Sequence, residues 1–431
     1  MSASLSAIVG ADIHYKEAVT SLGNKQTITC TEDIYSDKGV KLVAKGVKID
    51  SKVYANLVKH KLQKDFDENI TIDDAITIST VISDIAALVF SSQTLSKLSG
   101  DMTEAVSIED ILSTHTLPDN IALKLTAVKS ERQNLYNHSL IVVYLAYYLA
   151  SKSEQAVETI TTTLLAALFH DLGLLHLEPA LFEEGKKLTQ NEYKYLHVHV
   201  IISDLLLTNH PVYQSGVSNA VLEHHERLDG SGYPSGKSSD LISLPGQILA
   251  IAVVMTSRFN NEGEGECAHA KELSMLLTLN RKKLNPEFYQ PWQWLFNNEE
   301  PDSKATENYS DSELIAQSFQ LNKILKEWLS ILERLPSSYL IEFIDCYIGG
   351  INNNIIESGM NIDDSDYLAS VMEEDKTMSI FFHLHMKEHT WQLQNLLAEL
   401  NRRHLFQRTQ QDTQIGPWLN SIIQFSNMST I

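Results

Sequence analysis

Four short segments of this sequence place histidine or aspartate on or just after an apolar helical run. They are NHSLIVVYLAYYLA around His138, LLAALFHDLG around His170 and Asp171, YLHVHVIISDLL around His199, and VLEHHERLDGSGYP around His224 and His225. A side chain that projects from a buried helix is held at a fixed angle, as a metal site requires. Imidazole and carboxylate together suit iron, manganese, zinc or nickel. The four segments therefore predict a metal centre.

The adjacent pair His170 and Asp171 could offer one ligand to each of two ions. A two-metal site polarises a phosphoryl oxygen, generates hydroxide from water near neutral pH and stabilises the leaving oxygen. His197 and His199 lie two residues apart on a predicted helix and point to different faces, so only one of them, His199, is assigned to the cluster. Two further histidines are interpreted as ordinary structural or surface residues: His176 and His210.

The elements that must position these side chains are helical. Between about residues 120 and 296 the apolar pattern is helical almost throughout, with interruptions at Gly173, Pro211, the loop at 229–236 and Pro286. A polar, acidic stretch, NNEEPDSKATENYSDSE, follows it. Beyond that stretch, residues 314–335, 339–356 and 388–406 are predicted to be helical.

The segment before this region changes its period. QTITCTEDIYSDKGVKLVAKGVKI alternates like short strands with turns at 37–39 and 45–46, and SKVYANLVKHKL then has a helical pattern. Residues 72–99 predict one or two amphipathic helices. We predict a small α+β module at 1–70, connecting helices at 71–119, a catalytic domain at 120–296, an acidic linker at 297–311 and a C-terminal helical region at 312–431.

Composition narrows the class of protein. A net charge of −21, from 34 basic and 55 acidic residues, argues against a polymeric nucleic-acid substrate, which requires clustered Lys and Arg. Three separated cysteines without a CxxC pair predict neither a disulfide framework nor a zinc ribbon. The longest apolar stretch, 140–150, is about half a membrane span, and the first residues do not resemble a signal peptide. We therefore expect a cytoplasmic protein that does not bind membranes.

A longer motif makes the chemistry more specific. The run HDLGLLHLEPALFEEGKKLTQNEYKYLHVH, followed by HHERLDGSGYP, resembles the HD-GYP family of bacterial phosphodiesterases, which belong to the HD superfamily and cleave the signalling nucleotide cyclic di-GMP. The resemblance covers roughly residues 120–296 and includes LNPEFY at 284–289. It implies a mainly α protein with an HD-type all-helical catalytic domain.

The resemblance also implies roles for single residues. It makes Asp171 the catalytic, bridging carboxylate and assigns these metal ligands: His138, His170, Asp171, His199, His224 and His225. It implies one or two divalent ions, iron or manganese. The following loop would shape the nucleotide site through Arg227, Asp229, Gly230, Gly232, Tyr233 and Pro234. Glycine permits close backbone approach to a ligand, and Tyr233 can offer a ring face or a hydroxyl.

The sequence departs from the family at several positions. Leu174 stands where the family has a phosphate-contacting Lys, and Val253 stands where it has an Asp metal ligand. Asn134 replaces the Glu found in members with a third metal. An apolar side chain at either of the first two positions weakens the site for phosphate or for metal.

Three hypotheses follow. The first is a metal-dependent phosphodiesterase that hydrolyses cyclic di-GMP or a related nucleotide phosphodiester in bacterial signalling. The second, which Leu174 and Val253 favour, is a catalytically degenerate signalling protein that binds nucleotide or a protein partner without turnover. The third is a phosphohydrolase acting on mononucleotides, against which the intact HHERLDGSGYP argues. The C-terminal helices leave a homodimer open.

Overall fold

In the computed structural model the chain divides into two compact units, one comprising Met1–Leu188, Tyr195–Ala268 and Lys283–Trp292, the other comprising Thr189–Lys194, His269–Lys282 and Gln293–Ile431. The structure describes residues 2–57, 59–63, 69–102, 106–182, 186, 190–208, 210–214, 216–256, 273, 277, 280–290, 292, 311–357, 362–374, 376–403 and 405–428. The predicted linker at 297–311 lies outside the described residues except for Asp311. The predicted domain boundaries stay predictions.

The N-terminal part contains two small antiparallel sheets and two helices. The elements are α1 (Ser2–Lys25), β1 (Ile28–Cys30), β2 (Ile34–Tyr35), β3 (Lys41–Val43), α2 (Ser51–Leu57) and β4 (Ile70–Ile72). Strand β1 pairs with β4, and β2 pairs with β3. Gly39 and Gly46 adopt positive φ angles of 76° and 79°, which glycine tolerates without strain, and this confirms the two predicted turns. Helix α1 is not among the elements predicted from the sequence.

Ten helices named here follow, and all belong to the first unit except the beginning of α9, which belongs to it only from Tyr195 onwards. They are α3 (Ile78–Ser91), α4 (Gln93–Gly100), α5 (Ile108–Leu112), α6 (Asp119–Glu131), α7 (Gln133–Lys152), α8 (Val157–Phe169), α9 (Gln190–Thr208), α10 (Val217–Glu223), α11 (Leu244–Thr256) and α12 (Pro286–Tyr289). Every residue of α7 from 139 to 150 is buried, because this helix is apolar on all faces and packs against α8, α11, α6 and α3. The apolar stretch at 140–150 is therefore a core helix.

Helix α1 packs on the same unit through Tyr15. The Tyr15 ring stacks on His176 with centroids 4.7 Å apart, and the amino group of the buried Lys124 lies 4.7 Å from the centre of the same tyrosine ring. His176 is buried against helix α1, in agreement with its interpretation as a structural histidine.

The second unit is built from helices with a tryptophan core. They are α13 (Asp311–Leu332), α14 (Tyr339–Glu357), α15 (Ser365–Glu374), α16 (Lys376–Arg402), α17 (Phe406–Gln411) and α18 (Ile415–Met428). Trp328 and Trp418 are buried with ring centroids 4.6 Å apart. Their indole nitrogens donate to Asp345 Oδ1 at 3.0 Å and to the carbonyl of Ile324 at 2.9 Å.

The mainly α fold class is confirmed, with short strands confined to the N-terminal part of the described chain. No single described helix is long and apolar enough to cross a membrane, although the bent pair α3 and α4 would together have sufficient length and apolar composition.

Candidate metal centre

The predicted ligands come from four helices that meet in the first unit. His138 lies in the second turn of α7, His170 caps the C-terminus of α8, and Asp171 follows it directly. His199 lies in the middle of α9, and His224 caps α10 with His225 behind it. The structure brings these six side chains into two groups of three that could each hold a metal ion, and their roles as ligands stay predictions.

Asp171 stands between two groups of histidines. Its Oδ2 lies 3.1 Å from His170 Nε2 and 3.7 Å from His138 Nε2. Its Oδ1 lies 3.2 Å from His199 Nε2 and 4.0 Å from His224 Nε2. The ligand atoms of His138, His170 and Asp171 fall within 4.8 Å of one another, as do those of His199, His224 and His225. One carboxylate therefore faces two adjacent sets of nitrogen donors.

Three of the rings are oriented by their own helices. The Nδ1 atoms of His170, His199 and His224 lie 2.8, 2.7 and 2.6 Å from the carbonyl oxygens of the residues three positions earlier. A carbonyl only accepts, so each Nδ1 must donate its hydrogen, and each neutral ring then keeps its lone pair on Nε2. Metal-bound histidines use this pattern, with the distal nitrogen free for the ion.

The distance between two of these Nε2 atoms tests whether the residues fit a metal. His199 Nε2 and His224 Nε2 lie 3.4 Å apart. With both Nδ1 atoms donating to carbonyls, two neutral rings here would direct their Nε2 lone pairs at each other, and a cation shared between the two nitrogens would remove that repulsion. The donor set therefore fits a divalent ion that accepts imidazole nitrogen.

Burial and charge set the protonation of the centre. Burial lowers the pKa of His138 to about 4 and holds the pKa of His224 and His225 well below the ordinary value. Burial opposes ionisation of Asp171, but His170 and His199 together hold its pKa well below the usual range. Burial also lowers the pKa of His170, yet the neighbouring Asp171 charge raises it overall. An ionised carboxylate among mostly neutral imidazoles suits metal binding, which needs deprotonated ligands.

Gly173, two residues after Asp171, allows α9 to approach. A Cβ atom on Gly173 would lie 2.1 Å from the carbonyl oxygen of His199 and 2.9 Å from Ser203 Oγ. The Gly173 N–H donates to Ser203 Oγ at 2.8 Å. The glycine of the HDLG segment thus lets the backbone that carries His199 pack directly against the segment that carries Asp171.

Two buried glutamates that the sequence interpretation missed hold the loop after the paired histidines. Glu226 accepts the backbone N–H groups of Ser235 at 2.7 Å and Lys237 at 3.0 Å. Glu223 accepts from Lys237 Nζ at 2.7 Å and from Ser243 Oγ at 2.6 Å. Glu226 is the third residue of the HHExxDGxGYP pattern, so its presence there was a usable signal.

The loop residues predicted to bind substrate lie beside the ligand pair. Arg227 Nη1 donates to the carbonyl of Glu226 at 2.8 Å, and Asp229 Oδ1 accepts the Ser231 N–H at 3.0 Å. A Cβ on Gly232 would lie 2.4 Å from the carbonyl oxygen of His225. Because glycine has no side chain, the loop at this position can pack directly against the backbone of His225. The bond between Tyr233 and Pro234 is cis. Their roles toward a nucleotide stay predictions.

Leu174 occupies an apolar cluster. It is 8% exposed and packs with Leu177, Leu181 and Ile202. Arg132, a further residue that the sequence interpretation missed, donates to the carbonyls of Leu174 at 2.6 Å and Leu177 at 2.8 Å. The backbone around Leu174 is thus fixed by a guanidinium group while its side chain is turned into apolar surroundings. Val253 is half-buried on α11.

Comparison with known proteins agrees with this geometry. Residues 116–266 match the family model described as an HD domain. A 3'3'-cGAMP-specific phosphodiesterase of Vibrio cholerae is 37% identical over 133 residues, which are 31% of this chain and 30% of that protein. A cyclic di-GMP phosphodiesterase of Pseudomonas aeruginosa is 30% identical over 135 residues, 31% of this chain and 33% of that protein. A cyclic di-GMP phosphodiesterase of Thermotoga maritima is 31% identical over 134 residues, 30% of this chain and 36% of that protein.

These matches confirm that the chain carries an HD domain and that it resembles the HD-GYP family. The chain spans about a third of the length of the curated relatives it matches.

Proposed function

We propose that the HD domain of this chain is a metal-dependent phosphodiesterase that hydrolyses cyclic di-GMP or a related cyclic dinucleotide such as 3'3'-cGAMP. The observation that carries the proposal is the pair of facing Nε2 atoms at 3.4 Å beside a carboxylate that faces both histidine groups. The relatives named as phosphodiesterases of these two nucleotides support the substrate class.

The residues divide into two ligand groups in this proposal. His138 and His170 would hold one ion, and His199, His224 and His225 the other, with Asp171 shared between them. Divalent ions bound there supply a Lewis acid for the phosphoryl oxygen and lower the pKa of the attacking water. Arg227, a half-buried residue of the loop that follows the paired histidines, would orient a phosphate or a guanine, since guanidinium suits planar recognition.

The second hypothesis, nucleotide binding without turnover, keeps one specific observation in its favour. Leu174 lies in an apolar cluster, so the side chain at this position offers no positive charge to a phosphate. Binding to the metal centre and to the loop would remain in such a protein, whereas hydrolysis would be lost.

The experiment is elemental analysis of the purified protein, combined with hydrolysis of cyclic di-GMP and 3'3'-cGAMP in the presence of Mn²⁺ or Fe²⁺. We expect bound metal and a linear dinucleotide product, and loss of both in His170→Ala. His210→Ala is the matched control, because His210 is a partly buried histidine of the same unit that contacts Tyr213 rather than the cluster.

Metal and nucleotide binding with no linear product from either substrate would favour the second hypothesis. Equal metal content in the parent protein and in His170→Ala would overturn the metal centre itself.

A further inference from the structure

Tyr233 of the loop lies between two imidazole rings. Its ring is stacked on His197 with centroids 4.0 Å apart and planes inclined by 16°. It is also stacked on His225 with centroids 4.6 Å apart and planes inclined by 20°. Two imidazole rings stacked this closely on the tyrosine ring cannot fit side by side on one of its faces. His197 and His225 therefore cover opposite faces of Tyr233.

His225 differs from three of the other predicted ligands in how its ring is oriented. His170, His199 and His224 each direct Nδ1 at a backbone carbonyl. Among the hydrogen bonds of the described residues, none involves a ring nitrogen of His225. Its ring therefore lacks the anchor that sets the plane of those three, and the Tyr233 ring packs against it instead.

The backbone holds Tyr233 at this place. The Tyr233 N–H donates to the carbonyl of His225 at 3.1 Å. His197 belongs to α9, the helix that also carries His199, so the other side of the stack is fixed to the same helix as a neighbouring ligand. Removal of the Tyr233 ring or of the His197 ring should therefore change the orientation of His225.

We propose that Tyr233 and His197 are positioning residues that hold the imidazole of His225 in its ligand orientation by ring stacking. The proposal rests on the metal centre of the proposed function. It also assigns a role to His197, which the helical spacing had placed outside the cluster. Because His197 and His225 cover both faces of the Tyr233 ring, a nucleotide does not stack on either face, although a ring face was one of the two contacts predicted from the sequence.

The experiment is titration of the full chain with Co²⁺, followed by calorimetry and by visible absorption, which responds to the number and arrangement of the ligands. Tyr233→Leu and His197→Ala remove one ring of the stack each. Tyr233→Phe keeps the ring and removes only the hydroxyl. His210→Ala removes a histidine whose ring meets Tyr213 edge-on, with centroids 6.1 Å apart.

We expect Tyr233→Leu and His197→Ala to bind Co²⁺ about tenfold more weakly and with an altered spectrum, as residues that orient a ligand do. Tyr233→Phe and His210→Ala should match the parent in affinity and in spectrum. If Tyr233→Leu does not fold, as judged by circular dichroism, His197→Ala decides alone, because alanine is well tolerated in the helix that carries it.

Parent-like affinity and spectrum in both Tyr233→Leu and His197→Ala would overturn the positioning role while leaving the metal centre intact. A loss in Tyr233→Phe as large as in Tyr233→Leu would also overturn it, because the hydroxyl rather than the stack would then matter. A parent protein that binds no Co²⁺ would instead refute the metal centre on which the proposal rests.

Discussion

Replacing Gly173 by alanine tests the packing that joins the two ligand-bearing segments. The new Cβ would lie 2.1 Å from the carbonyl oxygen of His199, whereas real Cβ contacts essentially never fall below 3.0 Å. The backbone at His199 must therefore retreat by about 0.9 Å. Metal–ligand distances tolerate only about 0.2 Å, so we expect metal binding to fail before the fold does.

The cost in stability can be estimated from two contributions. Overpacking of a tight interior contact costs about 1–3 kcal/mol. Displacement of α9 also threatens the hydrogen bond from the Gly173 N–H to Ser203 Oγ at 2.8 Å. Leaving that buried donor unsatisfied costs about 1–3 kcal/mol. We expect Gly173→Ala to lower the free energy of unfolding by about 2–6 kcal/mol, which a domain in the middle of the usual range of about 5–15 kcal/mol survives.

The assay is urea denaturation followed by circular dichroism, with metal content measured after dialysis against Mn²⁺. Gly349→Ala is the control, because a Cβ on this glycine of α14 would meet nothing within 4 Å and should stabilise the helix by up to about 1 kcal/mol. Parent-like urea midpoint and metal content in Gly173→Ala would refute the close approach of α9.

Three further changes have defined outcomes. Leu174→Lys should lower the free energy of unfolding by about 2 kcal/mol, because it removes an apolar side chain from a buried cluster, whereas the same change at the exposed Leu205 should cost little in urea denaturation. Glu226→Ala leaves two loop N–H groups without their acceptor and should cost about 1–3 kcal/mol by the same measurement, unlike Glu287→Ala at an exposed position. Burial lowers the pKa of His385 from 6.5 to about 4, so the unfolded chain takes up a proton that the folded chain does not, and stability falls as the pH drops from about 6.5 towards 4. At pH 5 this amounts to about 2 kcal/mol relative to pH 8, and His385→Gln should remove that part of the pH dependence; an unchanged pH profile would contradict the assignment.

Much of the site could be predicted because its chemistry is local in sequence. The predicted ligands lie in short sequence motifs. The carbonyl group three residues before a helical histidine is close to its ring because of local helix geometry, independently of the rest of the fold. The presence of Glu226 in the same motif could have marked it as a residue of the site. Only the folded loop shows that its carboxylate accepts hydrogen bonds from backbone N–H groups. The stack of His197 on Tyr233 joins segments 36 residues apart, and no periodicity encodes that contact.

Helix α1 was not predicted, although the sequence contains the pattern that indicates it. Its buried residues Tyr15, Val19 and Leu22 follow a spacing of four and three, which is the pattern of one helix face. The apolar side chain of Leu174 was visible in the sequence, but its direction was not, because that depends on the neighbours that α9 brings to it.

The hydrogen bonds from Nδ1 of His170, His199 and His224 to carbonyls of the preceding turn affect the order in which the protein would fold and bind its metal ions. Each bond lies within a single turn of chain and is complete as soon as its helix docks. Ion capture then has little conformational entropy left to overcome at these rings, in contrast to small zinc domains that fold only around their metal. Folding would come first and loading second, so the ion that the finished protein carries would be decided by supply and exchange in its surroundings.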